Sequence, residues 1–184
     1  MSWIMECVTT ASYSISINGV LHGHFEGKRG LRQGDPMSPL LFVLCLEYLS
    51  RLLNDRTKNP MFKHHPLCGS LNISHVAYAD DLMLFSRGDT TSIQILTDVL
   101  EDFGNISGLR VNYDKSNIFL GSNAYYELDT ILELVDFKIG AFPVKYLGVP
   151  LAPLKLSVAQ YAPLLESITT FINAWNLKSL SYAG

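Results

Sequence analysis

Polar and apolar residues alternate from Ser12 onward: Tyr13, Ile15 and Ile17 fall on one side of an extended chain, Ser12, Ser14 and Ser16 on the other. Asn18-Gly19 follows, a dipeptide suited to the positive φ angles of a two-residue hairpin turn, and Val20 to Phe25 reads as the returning strand. Residues 26–36, rich in glycine and charge, predict a loop. A helix is expected to start with Ser38 as N-cap and Pro39 in the first turn. Leu41, Leu44, Cys45, Tyr48, Leu49 and Leu52 share one helical face. Leu40 and Val43 make the first turns apolar nearly all round, which predicts burial there on several sides.

After a polar stretch (54–70), two adjacent acids interrupt an apolar, β-prone run, His75-Val76-Ala77-Tyr78-Ala79-Asp80-Asp81-Leu82-Met83-Leu84-Phe85. A strand pair would bury the arms and carry both carboxylates on its turn. Asp89 can cap a helix striped by Ile93, Leu96, Leu100 and Phe103, which the glycines at 104 and 108 break. Leu109 to Leu120 reads as strand around a tight segment at 112–115. A short helix should carry Tyr125, Leu128, Leu132 and Val135, and Phe142 to Leu151 a small hairpin bracketed by prolines. The last helix shows Tyr161, Leu164, Leu165, Ile168, Phe171, Ile172 and Trp175 on one face, with Pro163 near its start. Mixed strands and helices predict an α+β fold with a mainly antiparallel sheet packed on helices.

Composition narrows the function classes. The 184 residues are 48% hydrophobic and 17% charged with net charge −3, so the chain lacks the basic excess of a free-standing nucleic-acid binder. Three separated cysteines (Cys7, Cys45, Cys68) cannot all pair, which favours a reducing compartment. No stretch is long enough to cross a bilayer and no secretory signal is visible, so an intracellular protein is expected, nuclear or cytoplasmic, neither secreted nor membrane-bound. His64, His65, Cys68 and His75 match no zinc-finger spacing. Adjacent like charges at Asp80 and Asp81 repel unless water or a cation compensates, and hard carboxylate oxygens suit Mg²⁺; an ordinary acidic turn is the alternative.

The order of the motifs is more specific than any one of them. Arg29-Gly30-Leu31-Arg32-Gln33-Gly34-Asp35-Pro36-Met37-Ser38-Pro39-Leu40 resembles the glycine turn and helix of reverse transcriptases of non-LTR (LINE-type) retroelements, and Tyr78-Ala79-Asp80-Asp81 resembles their catalytic hairpin. Gly108 to Asn112 with Lys115-Ser116 resembles the next motif, and Phe142 to Leu151 the primer-grip region. His64-His65-Pro66 with Cys68 is similar to a sequence in plant elements of this type, and the tail from Trp175 through Lys178 to Gly184 to the start of their thumb. The resemblance implies a polymerase palm over 1–155 and the beginning of a helical thumb over 156–184.

It also implies a chemistry. In such a palm, carboxylates hold two metal ions about 4 Å apart, which activate the primer hydroxyl and stabilise the leaving pyrophosphate. Asp80 is then the expected ligand for Mg²⁺ (or Mn²⁺), with Asp81 beside it. Arg32, Gln33 and Gly34 would meet template and incoming nucleotide, with Lys28, Arg29 and Arg32 available to phosphate. Tyr78 would pack beside the nucleotide or fill the strand core. Lys115 would protonate or neutralise the leaving group, or be a solvated lysine. Tyr146, Leu147 and Gly148 would support the primer end. RNA template, DNA primer and dNTP are the implied partners.

The family's first catalytic motif, an aspartate on a strand, has no counterpart here. Glu6, the nearest acid, falls in an expected helix. The segment is therefore expected to be inactive alone, to need an upstream polymerase segment or another chain to complete the metal site, and to be marginally stable. A repurposed nucleic-acid-binding or interaction module is the alternative. A small metal-dependent phosphoesterase is a third reading, for which no further ligand cluster has suitable spacing.

Overall fold

The computed structural model describes residues 2–27, 30–121 and 127–177. It is an α+β structure whose elements group into two units, 1–112 with 127–135 and 113–126 with 136–184.

In the first unit, helix α1 (Ser2–Thr9) precedes the hairpin of β1 (Ser12–Ile17) and β2 (Val20–Glu26). Asn18 and Gly19 take φ of 52° and 80°, as a tight turn between twisted strands requires. Helix α2 (Ser38–Arg56) follows the glycine loop, and then come β3 (His75–Tyr78), β4 (Asp81–Leu84), α3 (Thr90–Ser107) and α4 (Leu128–Leu134). The core forms where α2 crosses α3: Leu49, Leu53 and Phe62 close on Leu96, Val99 and Phe103, while Leu82 and Leu84 of β4 pack against this cluster.

α3 is punctuated as its sequence predicts. Asp89 caps it, accepting from Ser92 N at 3.2 Å, and Gly108 ends it at φ 75°. Glu127 also accepts from both the backbone N and the hydroxyl of Thr90, in the first turn of α3. These bonds hold the Glu127 carboxyl below the usual carboxylate range.

The second unit holds β5 (Asn117–Ile118) paired in parallel with β6 (Lys138–Ile139), the hairpin of β7 (Val144–Tyr146) and β8 (Val149–Leu151), and helix α5 (Val158–Leu177). The other three described pairs are antiparallel, and all four are two-stranded.

Several expectations are corrected. The cap position of α2 is Met37, whose side chain makes no capping bond. Asp35 stitches that turn instead: Oδ1 accepts from Met37 N at 2.8 Å and its carbonyl from Ser38 N at 3.1 Å. The first turns of α2 are open, with Leu40 61% exposed and Val43 and Leu44 similar, because α2 packs through its C-terminal half. Leu53 is the fully buried residue of that helix, and Val99 and Ile131 are the deepest apolar residues on α3 and α4. The strand expected over 109–120 is reduced to two residues, because Tyr113 turns the chain and stacks on Phe137 at 5.4 Å. Tyr125, Lys178 to Gly184 and the side chain of Cys7 lie outside the description, while Cys45 and Cys68 are free thiols.

Candidate active site

The β3–β4 hairpin carries the acids. Its register pairs His75 with Leu84, Val76 with Met83, Ala77 with Leu82 and Tyr78 with Asp81, which leaves Ala79 and Asp80 as a two-residue loop. Alternation then sends His75, Ala77, Leu82 and Leu84 to one face, and Val76, Tyr78, Asp81 and Met83 to the other. The first face is anchored by Leu82 and Leu84 on the core. The second is open: Tyr78 is 62% exposed, so it does not fill the strand core, and it shares that face with Asp81. Both carboxylates are exposed. Among the described residues no side chain forms a hydrogen bond or ion pair with either. Ala79, just before Asp80, is held at φ 50°.

The glycine loop runs into α2. Arg32, Gln33 and Gly34 are all exposed, and Asp35 N closes weakly onto Arg32 O at 3.4 Å. Gly34 sits at φ 88° with open space where a Cβ would project, so backbone conformation, and not crowding, calls for glycine. Lys28 and Arg29 lie outside the described residues. Gly30 and Arg110 line one open depression with the C-terminal turn of α3.

The remaining expected site residues belong to the second unit. Lys115 is exposed at the end of the 113–115 turn, beside the ion pair of Asp114 with Lys138 at 3.6 Å. Leu147 and Gly148 form the tight turn between β7 and β8, with φ of 50° and 85°. Tyr146 is half-buried, and among the described residues its buried hydroxyl has no hydrogen-bond partner.

A family model described as reverse transcriptase (RNA-dependent DNA polymerase) matches residues 1–151. The chain belongs to the reverse transcriptase family. Over 145 residues it is 31% identical to the retrovirus-related Pol polyprotein from the type-2 retrotransposable element R2DM of Drosophila melanogaster, across 74% of this chain and 13% of that protein. Over 108 residues it is 37% identical to an uncharacterized mitochondrial protein of Arabidopsis thaliana, across 58% of this chain and 88% of that protein. The transposon TX1 uncharacterized 149 kDa protein of Xenopus laevis is 28% identical over 195 residues, across 100% of this chain and 14% of that protein. The chain thus spans a small part of the R2DM and TX1 proteins.

In this reverse transcriptase segment the donor chemistry fits a divalent cation. Mg²⁺ is commonly held by one or two carboxylates together with water and substrate phosphates, and Asp80 and Asp81 are exposed acids whose side chains have no partner among the described residues. Among the described residues no group of three or more His, Cys, Asp or Glu side chains gathers into a ligand cluster. Sequence reasoning missed one polar group at the hairpin: the His75 ring lies between the hydroxyls of Ser50 and Ser74. Ser50 is 25 positions away, and only its place on the face of α2 near Leu49 and Leu53 hints at the meeting.

Proposed function

We propose that this chain is the central palm segment of an RNA-directed DNA polymerase of the non-LTR retroelement type, with Asp80 and Asp81 as its metal-binding carboxylates. The observation that carries this reading is the hairpin itself: two exposed acids, without partners among the described residues, at the tip of a core-anchored strand pair, inside the stretch that matches the family. Bound there, Mg²⁺ or Mn²⁺ would activate a primer 3′-hydroxyl and neutralise charge on the departing pyrophosphate. Asp80 and Asp81 hold the cation; exposed Arg32, Gln33 and Gly34 receive template and incoming nucleotide; Tyr78 packs beside the nucleotide on the face it shares with Asp81. Lys115 serves the leaving group, and Tyr146, Leu147 and Gly148 the primer end. RNA template, DNA primer and dNTP are its partners, inside the cell in nucleus or cytoplasm. No described helix is long and apolar enough to cross a membrane.

Two carboxylates cannot supply the oxygen ligands that a pair of metal ions needs. We therefore read residues 1–184 as inactive alone and dependent on an acid from elsewhere in the polymerase. The test is primer extension on an RNA template with Mg²⁺ or Mn²⁺, using the segment alone and the segment joined to an upstream portion of a family member, each beside Asp80→Asn. Activity only in the joined form, abolished by Asp80→Asn, is the expected result. Extension that survives Asp80→Asn would refute the assignment, because loss of one member of a catalytic unit costs orders of magnitude in rate.

A further inference from the structure

His75 opens β3 and takes no part in the nucleotidyl transfer just described. On the core-facing side of the hairpin, β4 supplies Leu82 and Leu84, whereas β3 supplies only Ala77 and the His75 ring. What fastens β3 is therefore polar. His75 Nε2 lies 2.8 Å from Ser50 Oγ on α2, and Nδ1 lies 3.0 Å from Ser74 Oγ. Ser74 is buried, and its carbonyl accepts from Phe85 N at 2.8 Å, which closes the base of the hairpin. Among the described residues, Ser50–His75 is the one side-chain hydrogen bond between this hairpin and a helix. A neutral imidazole offers one donor and one acceptor, and hydroxyls rotate to suit, so both ring nitrogens are satisfied in either tautomer.

We infer that His75 is a positioning residue: clamped by Ser50 and Ser74, it fixes the base of the β3–β4 hairpin to α2 and so sets where Asp80 and Asp81 project. The inference rests on the reading of those acids as metal ligands. Leverage explains why the base matters. Four residue steps carry the chain from His75 to Ala79 in the turn, about 13 Å of extended chain. A tilt of about 10° at the base would move the tip by about 2 Å, well beyond the ~0.5 Å that a metal constellation tolerates. α2 is the right anchor, because the same helix begins at the glycine loop, about 18 Å along its axis from Ser50. Half-burial disfavours the charged ring and holds the His75 pKa below its ordinary value, which keeps the clamp in its neutral form.

The test uses the whole chain as wild type, Ser50→Ala, His75→Phe, their double variant, and Ser50→Thr, which keeps the hydroxyl. Two quantities are read: amide hydrogen exchange of residues 76–84 against 96–103 in α3, and broadening of the Asp80 and Asp81 amides by Mn²⁺. Losing one hydrogen bond should speed hairpin exchange about three- to tenfold in Ser50→Ala, and His75→Phe, which also loses the bond to Ser74, should speed it at least as much, while α3 stays unchanged in both. The double variant should match His75→Phe, because that substitution already removes the bond to Ser50. Ser50→Thr should behave as wild type, and the Mn²⁺ concentration for half-maximal broadening should rise only where the clamp is broken. Unchanged hairpin exchange, additive effects in the double variant, or an equal rise in α3 would overturn the inference. Absence of broadening in the wild type would instead sink the metal-ligand reading, and the exchange data would still decide whether the clamp exists.

Discussion

Ala79 stands in the acidic β3–β4 hairpin at φ 50°, a left-handed conformation unfavourable to any residue with a Cβ. Replacing it by glycine removes that steric penalty, roughly 1–2 kcal/mol for an L-residue. The glycine also gains freedom in the unfolded chain, which costs back about 0.5–1 kcal/mol. Ala79→Gly should therefore stabilise the hairpin by roughly 0.5–1 kcal/mol, whereas Ala79→Val, branched at Cβ, should destabilise it by ~1 kcal/mol or more. Global unfolding reports mainly on α2 and α3, so hydrogen exchange at Val76, Leu82 and Leu84 is the sharper assay. Exchange should slow about two- to fivefold in the glycine variant, from the tenfold per 1.4 kcal/mol relation, and quicken in the valine variant. Faster exchange with glycine together with no effect of valine would refute the strain assigned to this turn. Metal affinity offers a second check: a relaxed turn holds Asp80 less firmly, so Mn²⁺ should bind more weakly even as the hairpin gains stability.

Leu53→Ala should cost about 2–5 kcal/mol, because Leu53 is fully buried between Leu49 and the α3 residues, and urea titration followed by circular dichroism would measure it. Asp89→Ala should lower stability by about 1–2 kcal/mol, since Asp89 caps α3 and also accepts from the buried Ser92 hydroxyl, while Asp89→Asn should recover most of the loss in thermal unfolding. His75 should titrate below its ordinary 6.5 when its ring is followed by NMR. The folded state disfavours the proton, so this contribution to stability is present above the unfolded value and is lost as pH falls through 6.5 toward the folded one. His75→Phe should flatten the slope of the urea midpoint over that window.

The hairpins were legible because short-range chemistry dictates them. Asn18-Gly19 sets one turn, and the apolar arms around Asp80 and Asp81 can pair only with the acids at the tip. The deepest core was less legible. α2 is apolar around much of its circumference, so periodicity alone does not choose between Leu44 and Leu53, and the choice is made by α3 packing on the second half of the helix. The α2 start was misjudged for a local reason: Asp35, three residues ahead of Ser38, offers a carboxylate to Met37 N. The exposed acids and the glycine loop were readable from residue types at fixed spacing. The Ser50–His75 bond was not, because it joins two unremarkable polar residues from separate elements, and no pattern along the chain marks such a meeting.

The chain leaves its first unit after Asn112 and re-enters it for residues 127–135. That return is short but structurally committed: Ile131 of α4 is fully buried, and Glu127 grips the first turn of α3 through Thr90. Anyone dissecting this protein therefore has no single safe cut. A fragment ending at Asn112 would carry the acidic hairpin yet strip α4 from its seat and free the head of α3, so poor behaviour of that fragment would say nothing about the hairpin. The separable piece is the excursion itself. Bridging 112 to 127 with a short flexible linker and stopping after Val135 keeps Glu127 and Ile131 on the same piece as α3 and the acidic hairpin, and it turns a discontinuous body into a continuous one whose folding can be tested by itself.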